Sequence, residues 1–234
     1  MISIITSLYN SQNHLSQYIQ HIEECSLALT EAGVIHEFLV ISNDPNPAEK
    51  VFLEELKKKT SIPTRIIICD RESLYATWNR GIREATYPHV TFWNVDDNRF
   101  PNAIIGGLQR MHEGFDIVYF PFIYKRYVKI FGLKILVKIK ITKTIPFDYQ
   151  LFLKGMYLGP FFMVKKTAFE KVGFFDESFK ISGDFDWSVR AVRAGATYIK
   201  SDILGGTFTN DGTTLSGSRN NLQQTENKRI IGIL

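Results

Sequence analysis

The stretch Val90-Thr-Phe-Trp-Asn-Val-Asp-Asp-Asn-Arg-Phe-Pro101 decides the fold. Val90 to Trp93 is an apolar, β-branched and aromatic run, the signature of a buried strand. It passes directly into Asn94, Val95, Asp96 and Asp97, and Pro101 opens a new helical pattern. In an open α/β sheet, ligands gather at the carboxyl ends of the strands. Two adjacent carboxylates there repel each other and call for a partner. A divalent cation holding phosphate oxygens would supply one, because hard cations prefer oxygen ligands. A solvated turn carrying two acids is the competing reading.

Working back from that strand, the first part of the chain alternates strand and helix four times. Strands are predicted at Ile2 to Leu8, Glu37 to Ile41, Thr64 to Cys69 and Val90 to Trp93. Between them, Leu15, Tyr18, Ile19, Ile22 and Leu29 recur at helical spacing. Val51, Phe52 and Leu56 do so after Pro47, which suits a first helical turn. Leu74, Tyr75, Trp78, Ile82 and Ala85 form the third such face. The pattern predicts an α/β fold, a mostly parallel sheet with helices on both faces.

Beyond Pro101 the character changes. Asp116 to Tyr124 reads as a strand. A basic segment follows, about 124–145, with Lys125, Arg126, Lys129, Lys134, Lys138, Lys140 and Lys143 and no acid before Asp148. Imperfect alternation around Gly132 predicts a twisted hairpin with a lysine-studded face. Such a face either attracts anionic lipid headgroups or protects an edge hairpin from aggregation. Leu158 to Val164 reads as a turn and buried strand, Lys165 to Val172 as a short helix ended by Gly173. Ser182-Gly183-Asp184-Phe185-Asp186-Trp187 leads into a helix stopped by Gly195, where Asp184 would serve equally as a plain N-terminal cap. Ala196 to Ile199 is a further strand, Gly205 to Ser218 a polar loop, and Asn221 to Leu234 a terminal helix.

The 234 residues suit one domain with a substantial core. A net charge of +4 does not require a nucleic-acid partner. Cys25 and Cys69 lie inside apolar patterns, which argues against a disulfide scaffold and for a reducing, cytoplasmic setting. Met1-Ile-Ser-Ile-Ile is read as a first strand and not a secretory leader. No apolar run approaches the roughly 18 residues of a membrane span.

Taken in order, these stretches resemble family 2 glycosyltransferases of the GT-A fold, over roughly Ile2 to Ser216. Ile2 to Asn10 resembles the family's opening strand and Tyr-Asn turn, with Ser7 where proline is usual. Asn79-Arg80-Gly81-Ile82, with Ala85, resembles its Asn-x-Gly-Ile…Ala helix. Asn94-Val95-Asp96 resembles the Asp-x-Asp motif, with Asn in first place. Gly173-Phe-Phe-Asp-Glu177 and Gly183-Asp184-Phe-Asp-Trp187…Arg190 resemble the acceptor-side motifs, with Gly183 in place of the usual Glu.

The resemblance implies one GT-A domain over 1–234, with a nucleotide-sugar half at 1–112, an acceptor-side half at 113–218 and a terminal helix at 219–234. It implies an inverting glycosyltransferase using a nucleotide-diphosphate sugar, a UDP-sugar by preference, and a glycan or lipid-linked acceptor. Asp184 would be the general base, in one cleft with Asp96, the ligand of Mn²⁺ or Mg²⁺. Ser7, Tyr9, Ser42, Asp44, Arg71, Arg80 and Asn94 would contact the nucleotide, Tyr9 by stacking and the arginines by pairing with phosphate. Asp97, Trp187 and Asp211 would face the acceptor or support these groups, Asp211 standing where the family often has a late histidine. The basic hairpin would offer a peripheral contact with an anionic inner membrane surface. Two rivals remain: a non-catalytic carbohydrate-binding or membrane-docking relative, and a nucleotidyltransferase. The second would show a glycine-rich phosphate loop after strand one, where Leu8-Tyr9-Asn10-Ser11-Gln12 has no glycine.

Overall fold

Four parallel strands carry the amino-terminal half: β1 (Ile2–Leu8), β2 (His36–Asn43), β3 (Thr64–Cys69) and β4 (His89–Phe92). The computed structural model describes residues 1–131, 133–212 and 220–232. Helices α1 (Leu15–Glu31), α2 (Pro47–Lys58) and α3 (Leu74–Glu84) connect the strands. Sequence capping is direct at α2. The Asn46 side chain accepts from the Glu49 amide at 3.0 Å, the Glu49 carboxylate accepts from the Asn46 amide at 3.0 Å, and Pro47 fills the first turn.

After the short strand β5 (Asn98–Arg99) come α4 (Pro101–His112), β6 (Ile117–Tyr119), β7 (Phe122–Ile130) and β8 (Leu133–Thr142). Then follow α5 (Tyr149–Phe152), β9 (Met163–Lys165), α6 (Lys166–Val172), α7 (Gly183–Arg193), β10 (Tyr198–Lys200), β11 (Gly206–Asn210) and α8 (Asn220–Gly232). The main sheet has the order β10-β6-β9-β4-β1-β2-β3, with β9 antiparallel to both neighbours. The expected mostly parallel α/β sheet is therefore present. Alternate residues feed cores on its two faces. Ile5, Phe92, Trp78, Phe175 and Trp187 pack on one side. Ile4, Phe38, Trp93, Tyr18 and Phe52 pack on the other.

Two expectations need correction. Asp116 to Tyr124 is not one strand. It breaks at Phe120-Pro121, and the chain leaves the main sheet to begin a second one, ordered β5-β11-β7-β8. Proline lacks the N–H needed to continue the ladder, while the Pro121 carbonyl accepts from the Gly205 amide at 2.7 Å. Gly206 to Asn210, read as loop, is a strand parallel to β7 and antiparallel to β5. Glycine marks it because the backbones meet: a Cβ at Gly206 would lie 2.2 Å from the Asn98 carbonyl oxygen. The remainder of that expected loop, at 213–219, lies outside the described residues.

Candidate active site

The turn after β4 is built from inside. The Trp93 amide donates to the Ile5 carbonyl (2.9 Å), the Asp97 amide to the Asn94 carbonyl (3.0 Å), and the buried Trp93 indole to the Asp97 carbonyl (3.1 Å). Asp97 points inward. It accepts from the Thr209 amide at 3.1 Å and from the Asn94 side-chain amide at 3.4 Å. Burial and the adjacent Asp96 charge push its pKa well above the usual carboxylate range. Asp97 thus fastens the turn to β11.

Asp96 lines a polar cavity of about 310 Å³. His14 at the cap position of α1, with Gln17 and His21 within the helix, forms one wall, and Lys125, Tyr127 and Lys134 of the β7–β8 hairpin another. Burial raises the Asp96 pKa, with His14 and Lys134 acting against it. Lys134 also forms an ion pair with Asp211 at 3.0 Å. Among the described residues no group of three or more His, Cys, Asp or Glu is arranged to hold a metal. Asp96 still fits one ligand position, because Mg²⁺-type sites often take one or two carboxylates and fill the rest from phosphate oxygens and water.

Asp184 occupies the first turn of α7, two residues past the Ser182 cap position. Its Oδ1 accepts from the Phe185 amide at 2.9 Å and from the Tyr75 hydroxyl at 3.3 Å. The same hydroxyl is 2.5 Å from the Ile181 carbonyl oxygen. Burial raises the Asp184 carboxyl to about 6, with the Glu226 charge adding to the effect and the Phe185 and Tyr75 bonds opposing it. Glu226 of α8 holds the approach to this turn. Its carboxylate accepts from the amides of Lys180 (2.9 Å), Ile181 (3.0 Å) and Ser182 (2.8 Å).

Gly183 is explained by its neighbour. A Cβ there would lie 2.7–2.8 Å from the Tyr75 ring, so the glutamate usual in the resembled motif does not fit beside this tyrosine.

The remaining motifs form a scaffold. The Asn79 amide bridges α3 to the Phe174-Phe-Asp-Glu177 segment. It donates to the Phe175 carbonyl (2.9 Å) and the Glu177 carboxylate (2.8 Å), and accepts from the Phe175 amide (3.0 Å). Arg190 donates to the carbonyls of Val172 (3.1 Å) and Phe174 (2.9 Å), closing the Gly173 turn. Trp187 is buried, stacks on Phe169 with ring centroids 4.4 Å apart, and donates to the Gly173 carbonyl at 2.8 Å. Its ring belongs to the core and not to an acceptor-facing surface.

The expected nucleotide contacts gather at the carboxyl ends of β1 to β4 but line neither cavity. Tyr9 is exposed, and the Arg71 guanidinium carbon lies 3.7 Å from its ring centroid. Arg80 spends its fork on Glu72, at 3.1 and 2.7 Å, and this holds the Glu72 carboxyl below the usual range. Ser42 is buried, Ser7 and Asn94 are half-buried, and Asp44 is exposed with a left-handed φ of 52°. Asp184 lines a second cavity, with Met156, Ser182, Gln223 and Asn227. Among the described residues, Asp96 thus lines one cavity and Asp184 another. Tyr75, Glu226 and the cavity groups His14, His21, Lys125 and Lys134 were not singled out as site residues. Their roles depend on partners remote in sequence.

Residues 3–173 match the model of glycosyl transferase family 2. An uncharacterized glycosyltransferase of Rickettsia typhi is 23% identical over 233 residues, covering 97% of this chain and 69% of that protein. S. aureus TarS 1-349 in complex with UDP-GlcNAc aligns with a TM-score of 0.69 at 16% identity, over 99% of this chain and 65% of that one. The Pyrobaculum calidifontis mannosyltransferase PcManGT, in complex with GDP-Man and Mn²⁺, aligns with a TM-score of 0.64 at 12% identity, over 88% of this chain and 56% of that one. The chain thus spans just under two thirds of the TarS structure. No helix among the described residues is long and apolar enough to cross a membrane. With the family model covering most of its length, and the fold shared with solved glycosyltransferases, the chain belongs to glycosyl transferase family 2.

Proposed function

We propose that the protein transfers a sugar from a nucleotide-diphosphate sugar, most simply a UDP-sugar, to a hydroxyl of a glycan or lipid-linked saccharide, with inversion. The observation that carries this reading is Asp184. It is a carboxylate raised to about 6 beside the start of α3, at the carboxyl end of the sheet, where it would act as a base near neutral pH. The acceptor oxygen forms a bond to the anomeric carbon as the bond to the diphosphate oxygen breaks. The acceptor proton passes to Asp184, and the electron pair leaves with the nucleotide diphosphate.

Asp96 and its cavity suit the leaving diphosphate. Lys125 and Lys134 bring positive charge to the same space. Asp96 would hold Mn²⁺ or Mg²⁺, which supplies neutralisation of the charge developing on the diphosphate when bound. Asp97 keeps the turn in place, Tyr9 offers its ring for stacking on the base, and Arg71, 3.7 Å from that ring, offers a guanidinium to phosphate. The TarS and PcManGT structures were solved with UDP-GlcNAc and with GDP-Man and Mn²⁺, which supports this donor class. The lysines of the hairpin suit a peripheral contact with an anionic membrane face, and two free cysteines suit a cytoplasmic one.

The two cavities favour one alternative, a relative that binds sugar nucleotides without turnover. Incubating the protein with a panel of UDP- and GDP-sugars and Mn²⁺ decides between them. Release of nucleotide diphosphate on adding acceptor supports the transferase. Ligand-induced rise in melting temperature with no release over hours supports the binder.

A further inference from the structure

Strand β8 is the edge of the second sheet, and all nine residues from Leu133 to Ile141 are exposed. Six of those nine are Leu, Ile or Val, and the other three are Lys134, Lys138 and Lys140. The tip is the most apolar part: Phe131 is fully exposed, and Ile130 and Leu133 are 46% and 70% exposed. Phe131 holds a left-handed φ of 48° as the first residue of the two-residue turn between the paired Ile130 and Leu133, a geometry such turns favour. Exposed apolar surface of this extent marks an interaction site.

The charges say what kind of partner it fits. The register places Lys129 opposite Lys134 and Arg126 opposite Lys138. Like charges directly across a ladder destabilise it; Asp211 pairs with Lys134, and the sequence from 117 to 147 contains no acid that could do the same for Arg126, Lys129 and Lys138. An external anionic surface would. A second copy pairing along β8 would bring further lysines against these and worsen the repulsion.

We propose that the β7–β8 hairpin inserts its tip, Ile130, Phe131 and Leu133, into an anionic phospholipid bilayer, with Lys129, Lys138 and Lys140 on the headgroups. Apolar side chains entering the acyl boundary and lysines at the headgroup level are the two contributions to interfacial binding. Lys140 lies over the Tyr124 ring at 5.5 Å and Lys134 over the Tyr127 ring at 4.9 Å. The same hairpin forms a wall of the Asp96 cavity through Lys125, Tyr127 and Lys134. An acceptor carried on a lipid would meet the cavity at the membrane surface. This last step rests on the transferase reading; the insertion itself does not.

The test uses the full chain carrying Phe131→Trp, with vesicles of phosphatidylcholine alone or with about a third phosphatidylglycerol. The native Trp78, Trp93 and Trp187 are buried, so they form a constant background. The expected result is sedimentation with the anionic vesicles only, a blue shift of the introduced indole, and its quenching by brominated acyl chains. Phe131→Ser with Leu133→Ser should weaken vesicle binding about tenfold. It should leave the melting temperature and the donor-induced thermal shift in lipid-free buffer unchanged. Bound protein whose introduced indole is neither shifted nor quenched would overturn the proposal. So would absence of binding to anionic vesicles, or a lipid-free dimer abolished by the double substitution. Vesicle insertion without any donor-induced shift would leave the surface standing and remove the transferase reading.

Discussion

The hydroxyl of Tyr75 stands 3.3 Å from Oδ1 of Asp184, joining the first turn of α3 to the first turn of α7. This bond favours the ionised carboxylate and so opposes the effect of burial. Tyr75→Phe should raise the Asp184 pKa further. Transfer by that variant is expected to fall more at pH 6 than at pH 8, with the acidic limb of the rate profile moved to higher pH. An unshifted limb would show that the tyrosine only packs.

Glu226→Gln should act in the opposite direction on the same limb. Its charge raises the Asp184 pKa, so neutralising it shifts the limb to lower pH. The amide can keep only part of the three-amide clasp on residues 180–182. A stability loss of about 1–3 kcal/mol is expected from the under-satisfied backbone groups. Urea unfolding and a pH–rate profile on one preparation measure both.

Asp184→Asn should reduce turnover by about 10²–10⁴, the usual contribution of a positioned acid or base, while donor binding persists. It also makes a stability prediction. The folded carboxyl is raised to about 6 from 3.8. The native state therefore binds more protons than the unfolded state between those values. Stability falls as pH rises through that window. The Asn variant escapes this cost, and its stability relative to the wild type should rise on passing from pH 4 to pH 8, on the order of 2 kcal/mol. Parallel thermal denaturation at the two pH values reads the difference.

Asp96→Ala should weaken donor binding in Mn²⁺ about tenfold or more, and leave the weak metal-free binding nearly unchanged. Isothermal titration with a UDP-sugar, with Mn²⁺ and with a chelator, gives the comparison. Equal metal dependence in both proteins would refute the ligand assignment.

The alternation of β1 to β4 with three helices was legible because each strand holds a short apolar cluster, the helix faces recur at helical spacing, and Asn46 and Ser73 cap α2 and α3. The third strand has the bounds read from its sequence, and the ends of the basic hairpin lie two and three residues from those read. The break at Pro121 was hidden inside an uninterrupted apolar run, and only the partners of each half reveal the change of sheet. Strand β11 was hidden because its partners, β5 and β7, are remote and its own residues are polar. The family motifs were visible as letters, but their reason was not. Asn79 and Glu177 are 98 residues apart and share one hydrogen bond. Tyr75 looked like one more apolar residue on a helix face, and no local pattern marked Glu226.

The glycine at 183 and the tyrosine at 75 are interlocked, since the ring fills the space that any larger side chain would claim. In descendants of this chain the two positions are expected to change together. A lineage gaining a second acid at 183 would first have to give up the phenol that now hydrogen-bonds to Asp184.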